Sequence, residues 1–348
     1  MKKGFMDALY REMELRKDYL GDNTVGTIYF GGGTPSVLKP YEIDNLLLAI
    51  GYLFEVDVDV EITIEVNPDD VDEVWIQELK RTRVNRISIG VQSFHNEDLV
   101  YLNRLHDPKQ IFNALKLIQD AGYENVSVDL IYGMPSQTPK RWESCLQQYF
   151  ELDLPHLSAY ALTVEPKTTL DYLIRKKKTE PVDERKITEH FRILQEMTSD
   201  NGYIHYEISN FAREGFYSRH NSIYWLGGHY LGLGPSAHSF NGHSRQWNIS
   251  NVTQYIKDQD SGQEISETEY LTEQQRYNEY VMTSLRTTWG CDLEHIGNVF
   301  GEDYRKHCLR QATAFLDEGK LEKKGNKLFL TNYGKLFADG IAAAMFWG

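Results

Sequence analysis

Short apolar runs recur along the first 165 residues and alternate with stretches of helical periodicity. Five of these runs indicate strands, each ending in a glycine or in a polar residue followed by a turn: TIYF, EITIEV, RISIGV, VSVDLIYG and LSAYALTV. Apolar residues at helical spacing lie between them: Leu46, Leu47, Ile50 and Leu53; Ile111, Leu115 and Ile118; Trp142, Leu146 and Tyr149. This alternation is typical of βα units built on a parallel sheet.

The five units favour an α/β fold, either TIM-like or doubly wound. The strands are nearly continuously apolar, or polar only near their C-terminal ends, which predicts parallel strands covered on both faces. A complete eight-fold barrel needs about 250 residues. The rhythm fades after about residue 165, so we predict a partial barrel. Before the first strand, apolar residues at helical spacing predict an amphipathic N-terminal helix: Met6, Leu9, Tyr10, Met13 and Leu20.

The second half of the chain has a different pattern. A helix is predicted over 183–200, and residues 205–247 show no clear period. A polar stretch with turns, about 250–270, predicts a domain boundary. We therefore divide the chain into residues 1–250 and residues 251–348.

The C-terminal part indicates a small helical domain. Helical patterns cover 273–286 and 303–318, and a last helix is predicted from Asn332 onward. Between them, Gly325-Asn326 is a hairpin turn signal within KLEKKGNKLFLT. Helices followed by a small hairpin predict a winged-helix-like domain.

Composition narrows the functional classes. The chain has 348 residues and a net charge of -14, which argues against a general affinity for phosphate backbones. No apolar run approaches the roughly 20 residues that a membrane span needs, and the N-terminus lacks the apolar core of a signal peptide, so we expect a cytoplasmic protein. Cys145, Cys291 and Cys308 lie far apart in sequence, which predicts buried free thiols rather than a disulfide framework or metal cluster.

Polar or permissive residues stand at the C-terminal end of every predicted strand, where parallel α/β folds collect function. They are Gly31, Gly32, Gly33 and Thr34; Glu65 and Asn67; Gln92 and Ser93; Asp129; and Thr163. Any one of them has a local explanation, such as a turn, a helix cap or a bonded loop amide. The set together favours a ligand site. In it, Glu65 would hold an ammonium or a ribose diol, and Arg104 would pair with a carboxylate.

Six motifs carry a resemblance to a known family. FGGGTPSVL, EITIEVNPDD, NRISIGVQSF, LNRLHD, VSVDLIYGMPSQT and LSAYALTVEP occur in the order and at the spacing found in radical S-adenosylmethionine (SAM) proteins related to oxygen-independent coproporphyrinogen III oxidase. The resemblance covers nearly the whole chain and implies a partial (β/α)6 barrel, here without its first strand.

The resemblance also implies a cofactor and its contacts. By motif match, Gly32, Gly33, Thr34 and Glu65 correspond to contacts of S-adenosylmethionine. Gln92, Arg104 and Asp129 correspond to further contacts, some of them to a second molecule of the cofactor in the oxidase itself.

Two segments resemble the haem chaperone branch of the family. They are HNSIYW, from His220 to Trp225, and LGLGPSAHSF, which contains His238. The resemblance implies haem or a porphyrinogen as ligand and a haem acceptor protein as partner. Two alternatives stay open: the anaerobic oxidase itself, which decarboxylates coproporphyrinogen III, and a nucleic-acid-binding module, disfavoured by the charge of -14.

One family feature has no counterpart in this sequence. The family holds a [4Fe-4S] cluster with a CxxxCxxC loop after its first strand, and no such motif occurs here. Cluster ligands must converge, so we expect no metal site in this chain as given, no cluster and no reductive cleavage of S-adenosylmethionine. The chain is interpreted as a shortened family protein, with a genuine cluster-free relative as the alternative. The TIYF strand then becomes a sheet edge.

Histidines concentrate in one segment. Five of the eleven lie there: His205, His220, His229, His238 and His243. A histidine is a common proximal ligand of haem iron. His220 is the first candidate because it lies in the branch signature, and His238 matches a position close to the cofactor. Zinc is disfavoured by spacing, and hydrogen bonding to backbone and water is the ordinary alternative for each single histidine.

Overall fold

The computed structural model describes residues 1–21, 24–261 and 266–348. These residues form two compact units. One unit comprises Met1–Ile28, Glu42–Glu61 and Ser218–Gly348, and the other comprises Tyr29–Tyr41 and Ile62–Tyr217. The division at residue 250 stays a prediction. Among the described residues no helix is both long and apolar enough to cross a membrane.

A seven-stranded sheet carries the predicted βα units. Its strands are β1 (Val25–Phe30), β2 (Val56–Val66), β3 (Arg86–Gln92), β4 (Val126–Tyr132), β5 (His156–Ala161), β6 (Ile204–Glu207) and β7 (Asn210–Ala212). The strand order is β1-β2-β3-β4-β5-β7-β6, so β1 is a terminal strand, as predicted. The pairs β2–β3, β3–β4 and β4–β5 are parallel, whereas β7 runs antiparallel to β5 and β6. This sheet is a half-barrel and confirms the predicted partial barrel.

Helices separate the strands and bury their apolar stripes. They are α1 (Lys2–Leu15), α2 (Pro40–Leu53), α3 (Glu73–Leu79), α4 (Asn96–Tyr101), α5 (Pro108–Asp120), α6 (Pro139–Glu151), α7 (Thr169–Arg175) and α8 (Glu184–Asp200). Capping side chains and prolines determine where α5 and α6 begin. Asp107 and Gln110 form a reciprocal capping box before α5, with Pro108 in its first turn. The Thr138 side chain caps α6 in the same position relative to Pro139.

Strand β3 is covered on both faces, as predicted, but one of its two faces is polar. On β3, Ile87, Ile89 and Val91 are fully buried and alternate with polar or small residues. The polar face is bonded across strands: the Ser88 hydroxyl donates to Asp129 at 3.3 Å, and Ser127 Oγ lies 2.7 Å from His156 Nδ1. The polar face could be recognised in the sequence from the alternation of apolar and polar or small residues in RISIGVQ. Successive strand residues point to opposite faces of the sheet.

The segment after β7 contains regular structure that the sequence did not predict. It consists of α9 (Arg219–Trp225), β8 (His238–Phe240), β9 (Ser244–Asn248), α10 (Val252–Ser261) and β10 (Ser266–Tyr270). Strands β8, β9 and β10 form an antiparallel sheet. The polar stretch 250–270, in which turns were expected, also holds the helix α10 and the paired strand β10, while residues 262–265 lie outside the described part.

The C-terminal elements confirm the predicted winged-helix-like domain. They are α11 (Glu273–Leu285), β11 (Cys291–Asp292), α12 (Leu293–Val299), α13 (Glu302–Asp317), β12 (Leu321–Lys324), β13 (Lys327–Leu330) and α14 (Ala338–Ala344). The strands pair in the order β11-β13-β12, and β12 and β13 form the antiparallel hairpin around Gly325-Asn326.

Helix α1 buries a carboxylate rather than a purely apolar stripe. Glu12 is fully buried, and four donors surround it. Asn248 Nδ2 and Arg16 Nη1 donate to Oε1 at 2.6 and 3.2 Å. The Tyr255 hydroxyl and the Gly234 amide donate to Oε2 at 2.6 and 2.8 Å. This network ties α1 to the loop before β8, to β9 and to α10.

Candidate functional site

The glycine loop after β1 is built around Glu65 of β2. The Tyr29 hydroxyl donates to Glu65 Oε1 at 2.7 Å, and the Gly32 amide donates to Oε2 at 3.2 Å. A Cβ at Gly31 would lie 2.8 Å from the same Oε1 and against the Tyr29 ring, so only glycine fits there. Gly32 has a φ of +80°, which also favours glycine.

Open space surrounds the rest of this loop. Residues 31–34 are exposed, and a Cβ at Gly33 would meet no atom within 4 Å. Glu65 is half-buried and keeps unused acceptor capacity beside its two donors. The loop and this carboxylate can therefore receive a ligand that brings ammonium or hydroxyl donors.

Asp129 lies on the polar face of β4 near the same carboxylate. The pKa of Asp129 is raised to about 7, mainly by burial and also by the charge of Glu65, although hydrogen bonds from Ser158 and Ser88 and the charge of Arg86 act in the opposite direction. The carboxyl is thus poised to change its protonation state near neutral pH.

We expect Asp129→Asn to flatten the pH dependence of stability. The folded pKa of about 7 lies above the ordinary value of 3.8, so the folded chain retains a proton that the unfolded chain releases. The free energy of unfolding therefore falls as pH rises from about 4 to about 7, by roughly 3 kcal/mol for this one group. Urea unfolding at about pH 5 and pH 8 measures this slope. Asp120→Asn, at an exposed carboxylate paired with Lys116, should keep the wild-type slope, and equal slopes in both variants would contradict the assignment.

Gln92 ends β3 in an unusual backbone conformation. Its φ is +68°, and its side chain folds over Gly90, where a Cβ would lie 2.8 Å from Gln92 Nε2. The buried His106 connects this strand end to the loop after β2. Its Nε2 lies 3.3 Å from the Val91 carbonyl and its Nδ1 lies 3.4 Å from Asp69 Oδ1. These contacts hold the strand end in its left-handed conformation.

A second buried carboxylate organises the loops after β3 and β4. Asp98 is fully buried and accepts from Ser93 Oγ at 2.8 Å, from Gln137 Nε2 at 3.2 Å and from Arg141 Nη1 at 3.3 Å. Gln137 Oε1 in turn accepts from the Gly133 amide at 3.0 Å. Asp98 therefore joins the two loops through side chains.

Arg104 stands apart from the residues above. It is exposed in the turn after α4, and within the described residues its side chain forms no hydrogen bond or ion pair. The structure brings Glu65 together with the glycine loop and couples it electrostatically to Asp129. It does not bring Arg104 into bonding distance of these groups.

The two candidate haem histidines have different surroundings. His220 Nδ1 lies 2.9 Å from Thr27 Oγ1, and its Nε2 lies 2.9 Å from the Tyr224 hydroxyl. Its amide and that of Arg219 donate to the buried Glu61 carboxylate, which fixes the start of α9. His238 is exposed, and its ring forms no hydrogen bond with any described residue.

Sequence reasoning missed Tyr29, Asp98 and His106. Tyr29 was counted as an apolar strand residue, although the alternation of the strands would have placed it on the same face as the polar positions. Asp98 is the last residue of the stretch GVQSFHNED, whose polar residues give no local sign that this acid is buried. His106 lies in the LNRLHD motif, from which only Arg104 was predicted as a site residue.

The thiols confirm the expectation of free, buried cysteines. Cys145, Cys291 and Cys308 are all free and buried. Burial raises the pKa of the Cys145 thiol to about 12, which keeps it protonated and unreactive. Within residues 1–21, 24–261 and 266–348, no three His, Cys, Asp or Glu side chains converge to hold a metal ion.

Comparisons with known proteins define the class of the chain. The radical SAM superfamily model matches residues 7–148, and the HemN C-terminal domain model matches residues 271–337. The solved structure of coproporphyrinogen III oxidase (HemN) from Escherichia coli, a radical SAM enzyme, superposes with a TM-score of 0.84 at 25% identity, covering 99% of this chain and 83% of that one. The class is a radical SAM half-barrel followed by a HemN-type C-terminal domain.

Curated relatives narrow the class further. Heme chaperone HemW of Lactococcus lactis is 34% identical over 308 residues, covering 88% of this chain and 81% of the relative. Heme chaperone HemW of Bacillus subtilis is 31% identical over 342 residues, covering 98% and 90%. The chain belongs to the HemW family of HemN-related radical SAM proteins.

The family implies S-adenosylmethionine and a [4Fe-4S] cluster, and the residues fit these two groups unequally. The crowded Gly31, the open Gly33 and the acceptor Glu65 fit a ligand with ammonium and hydroxyl donors. For the cluster, the described residues offer no converging set of thiolates. The part of the chain that the structure describes therefore does not fit the cluster.

Proposed function

We propose that this protein binds haem and passes it to an acceptor protein. The observation that carries the proposal is the identity of about one third, over nearly the full chain, to proteins named heme chaperone HemW. In this proposal haem is the cargo, and the histidine-rich segment supplies a ligand to its iron.

We further propose that the rim of the half-barrel binds S-adenosylmethionine. Glu65 would accept from the ammonium or ribose hydroxyls, and the backbone of Gly32, Gly33 and Thr34 would line the loop side of the ligand. Gln92, Arg104 and Asp129 are proposed as further contacts. When bound, S-adenosylmethionine supplies the sulfonium chemistry of the family, while this chain's residues bind and orient it.

Two histidines are proposed as haem ligands, and their surroundings give them different costs. Iron at His220 would replace a hydrogen bond to Thr27 or Tyr224. Iron at His238 would replace no bond to a described residue. The segment that holds both also contains other histidines, so a variant at one of those serves as the control for loss of a histidine.

Haem titration tests the proposal. We expect haemin to give a shifted Soret band that saturates at micromolar concentration. His220→Ala or His238→Ala should weaken binding about tenfold, which corresponds to the loss of roughly 1.4 kcal/mol. His243→Ala, in the same segment, should not. An unshifted spectrum at micromolar haemin would contradict the chaperone proposal.

The oxidase function is the second candidate, favoured by the superposition on coproporphyrinogen III oxidase. That relative shares the half-barrel and the C-terminal domain. Anaerobic decarboxylation of coproporphyrinogen III by the purified protein would favour this candidate. Haem binding without decarboxylation would favour the first.

A further inference from the structure

The hairpin of the C-terminal domain is strongly basic in an acidic protein. Between residues 320 and 335 the chain has five lysines and a single glutamate, whereas its net charge is -14. The lysines are Lys320, Lys323, Lys324, Lys327 and Lys335. Lys323 is exposed and, among the described residues, has no ion pair. This concentration of positive charge is not needed to form the hairpin.

Register places two of these lysines against each other. Lys324 and Lys327 are direct cross-strand partners on either side of the Gly325-Asn326 turn. Like charges directly opposite each other destabilise an antiparallel pair. Of these two lysines, only Lys324 has a carboxylate partner among the described residues, Glu322 Oε1 at 2.6 Å. Lys327 Nζ donates to the Trp289 carbonyl at 3.3 Å. An external anion would relieve the remaining repulsion.

A concave surface adjoins the hairpin. It has a volume of about 440 Å³, and its lining includes Lys324 and Lys335, the hydroxyl residues Thr287 and Thr331, and Phe329. Two cations beside hydroxyl groups and one aromatic ring suit a carboxylate side chain with an apolar neighbour.

Two exposed aromatic residues extend this surface. Tyr333 and Phe337 are 48% and 43% exposed, and their rings pack edge to face at 5.3 Å. Lys320 Nζ lies 4.8 Å from the centroid of the Phe337 ring. Aromatic residues are enriched in the cores of protein interfaces, and the lysines around them would lie at the polar rim.

We propose that this surface docks an acidic segment of a partner protein. The surface, which we call the basic hairpin face, consists of Lys320, Lys323, Lys324, Lys327, Tyr333, Lys335 and Phe337. Carboxylates of the partner would pair with the lysines, and an apolar side chain would cover the two aromatic rings. The inference is independent of haem and of S-adenosylmethionine binding.

The chemistry of the face favours a peptide over nucleic acid. Glu322 lines the same concavity, and Glu318 pairs with Lys320 at 2.6 Å. These carboxylates would oppose a continuous phosphate backbone, which places a charge at every nucleotide. A peptide can place its acids at Lys323 and Lys327 and leave apolar atoms elsewhere.

A matched pair of triple variants tests the proposal. Lys323, Lys324 and Lys327 are changed to Gln in one protein. In the control, the exposed Lys176, Lys177 and Lys178 after α7 are changed to Gln, which alters net charge equally. The probe is a fluorescently labelled peptide of alternating glutamate and leucine, and its binding to the full chain is measured by anisotropy. We expect the hairpin variant to lose about tenfold in affinity and the control to lose less than about twofold.

Further variants and ligands distinguish specific binding at the basic hairpin face from general electrostatic attraction. Phe337→Ala keeps every charge on the face and should also weaken binding of the peptide. Equal losses in the two triple variants would overturn the proposal, as would tighter binding to anionic phospholipid vesicles or to single-stranded RNA than to the peptide. Thermal unfolding of each variant shows that the hairpin still folds. A hairpin variant that unfolds early is replaced by the single change Lys323→Gln, at the lysine without an internal partner.

Discussion

Glu65→Gln is expected to weaken S-adenosylmethionine binding by about 10- to 100-fold, because a charge-assisted hydrogen bond to a ligand contributes roughly 1.5 to 3 kcal/mol. The structure adds a second reason. The Tyr29 hydroxyl and the Gly32 amide each donate to one oxygen of Glu65. An amide has only one acceptor oxygen, so its NH₂ group would face one of these donors in either orientation. Calorimetry with the purified chain measures the affinity.

Two further variants make this result specific to the carboxylate. Glu73→Gln removes the same charge from an exposed position in the first turn of α3 and should leave the affinity unchanged. Tyr29→Phe keeps the charge of Glu65 and removes one donor, so it should cost less than Glu65→Gln. An affinity in Glu65→Gln equal to that of wild type would remove Glu65 from the proposed site. It would leave the haem proposal untouched, since haem is titrated separately.

The sequence predicted the half-barrel strands well because their periodicity is strong. RISIGV and VSVDLIYG begin at the first residues of β3 and β4, Arg86 and Val126. The capped helices α5 and α6 follow their predicted apolar residues. Prolines and capping side chains mark those helix starts, so local chemistry and tertiary packing agree.

The segment from β6 to β10 could not be predicted in the same way. Its strands β6 to β8 have three or four residues each, too short for a period to be recognised. Its conformation depends on long-range hydrogen bonds to side chains, such as those that the amides of Arg219 and His220 donate to Glu61. No pattern within the segment itself encodes a partner so far away in sequence.

The sequence indicated the residues that are proposed for the site but not the residues that support them. Glu65 and the glycines were recognisable because strand ends in parallel folds collect function. Tyr29 was not, since a tyrosine in an apolar run has the ordinary role of a core residue. Only the structure shows that its hydroxyl reaches Glu65 and that Gly31 leaves room for this contact. The glycine loop therefore has a structural requirement as well as a proposed ligand.

The helical pattern of α1 concealed a buried charge. Its predicted stripe included Met6 and Met13, which are buried, and Leu20, which lies outside the helix. Glu12 falls next to that stripe, directly before Met13. Three of its four partners come from 222 to 243 residues later in the chain, so no local rule marks it as buried.

Glu12→Ala should reduce the free energy of unfolding by about 3 to 5 kcal/mol, the usual cost of removing one partner of a buried ion pair. The variant would leave Arg16, whose side chain is 12% exposed, without its carboxylate. It would also remove the acceptor of Asn248, Tyr255 and the Gly234 amide. Urea unfolding followed by circular dichroism measures the change.

The same helix offers a matched control for this prediction. Glu14 is 57% exposed and pairs with Lys17 at 2.8 Å, so Glu14→Ala should change stability by less than about 1 kcal/mol. The double variant Glu12→Ala with Arg16→Ala should be less destabilised than the sum of the two single changes, because removing both members leaves no unpaired buried charge. Equal costs for Glu12→Ala and Glu14→Ala would show that the carboxylate is not essential to the packing of α1. The expected difference instead makes Glu12 the residue through which α1 fixes the loop before β8, the strand that begins at His238.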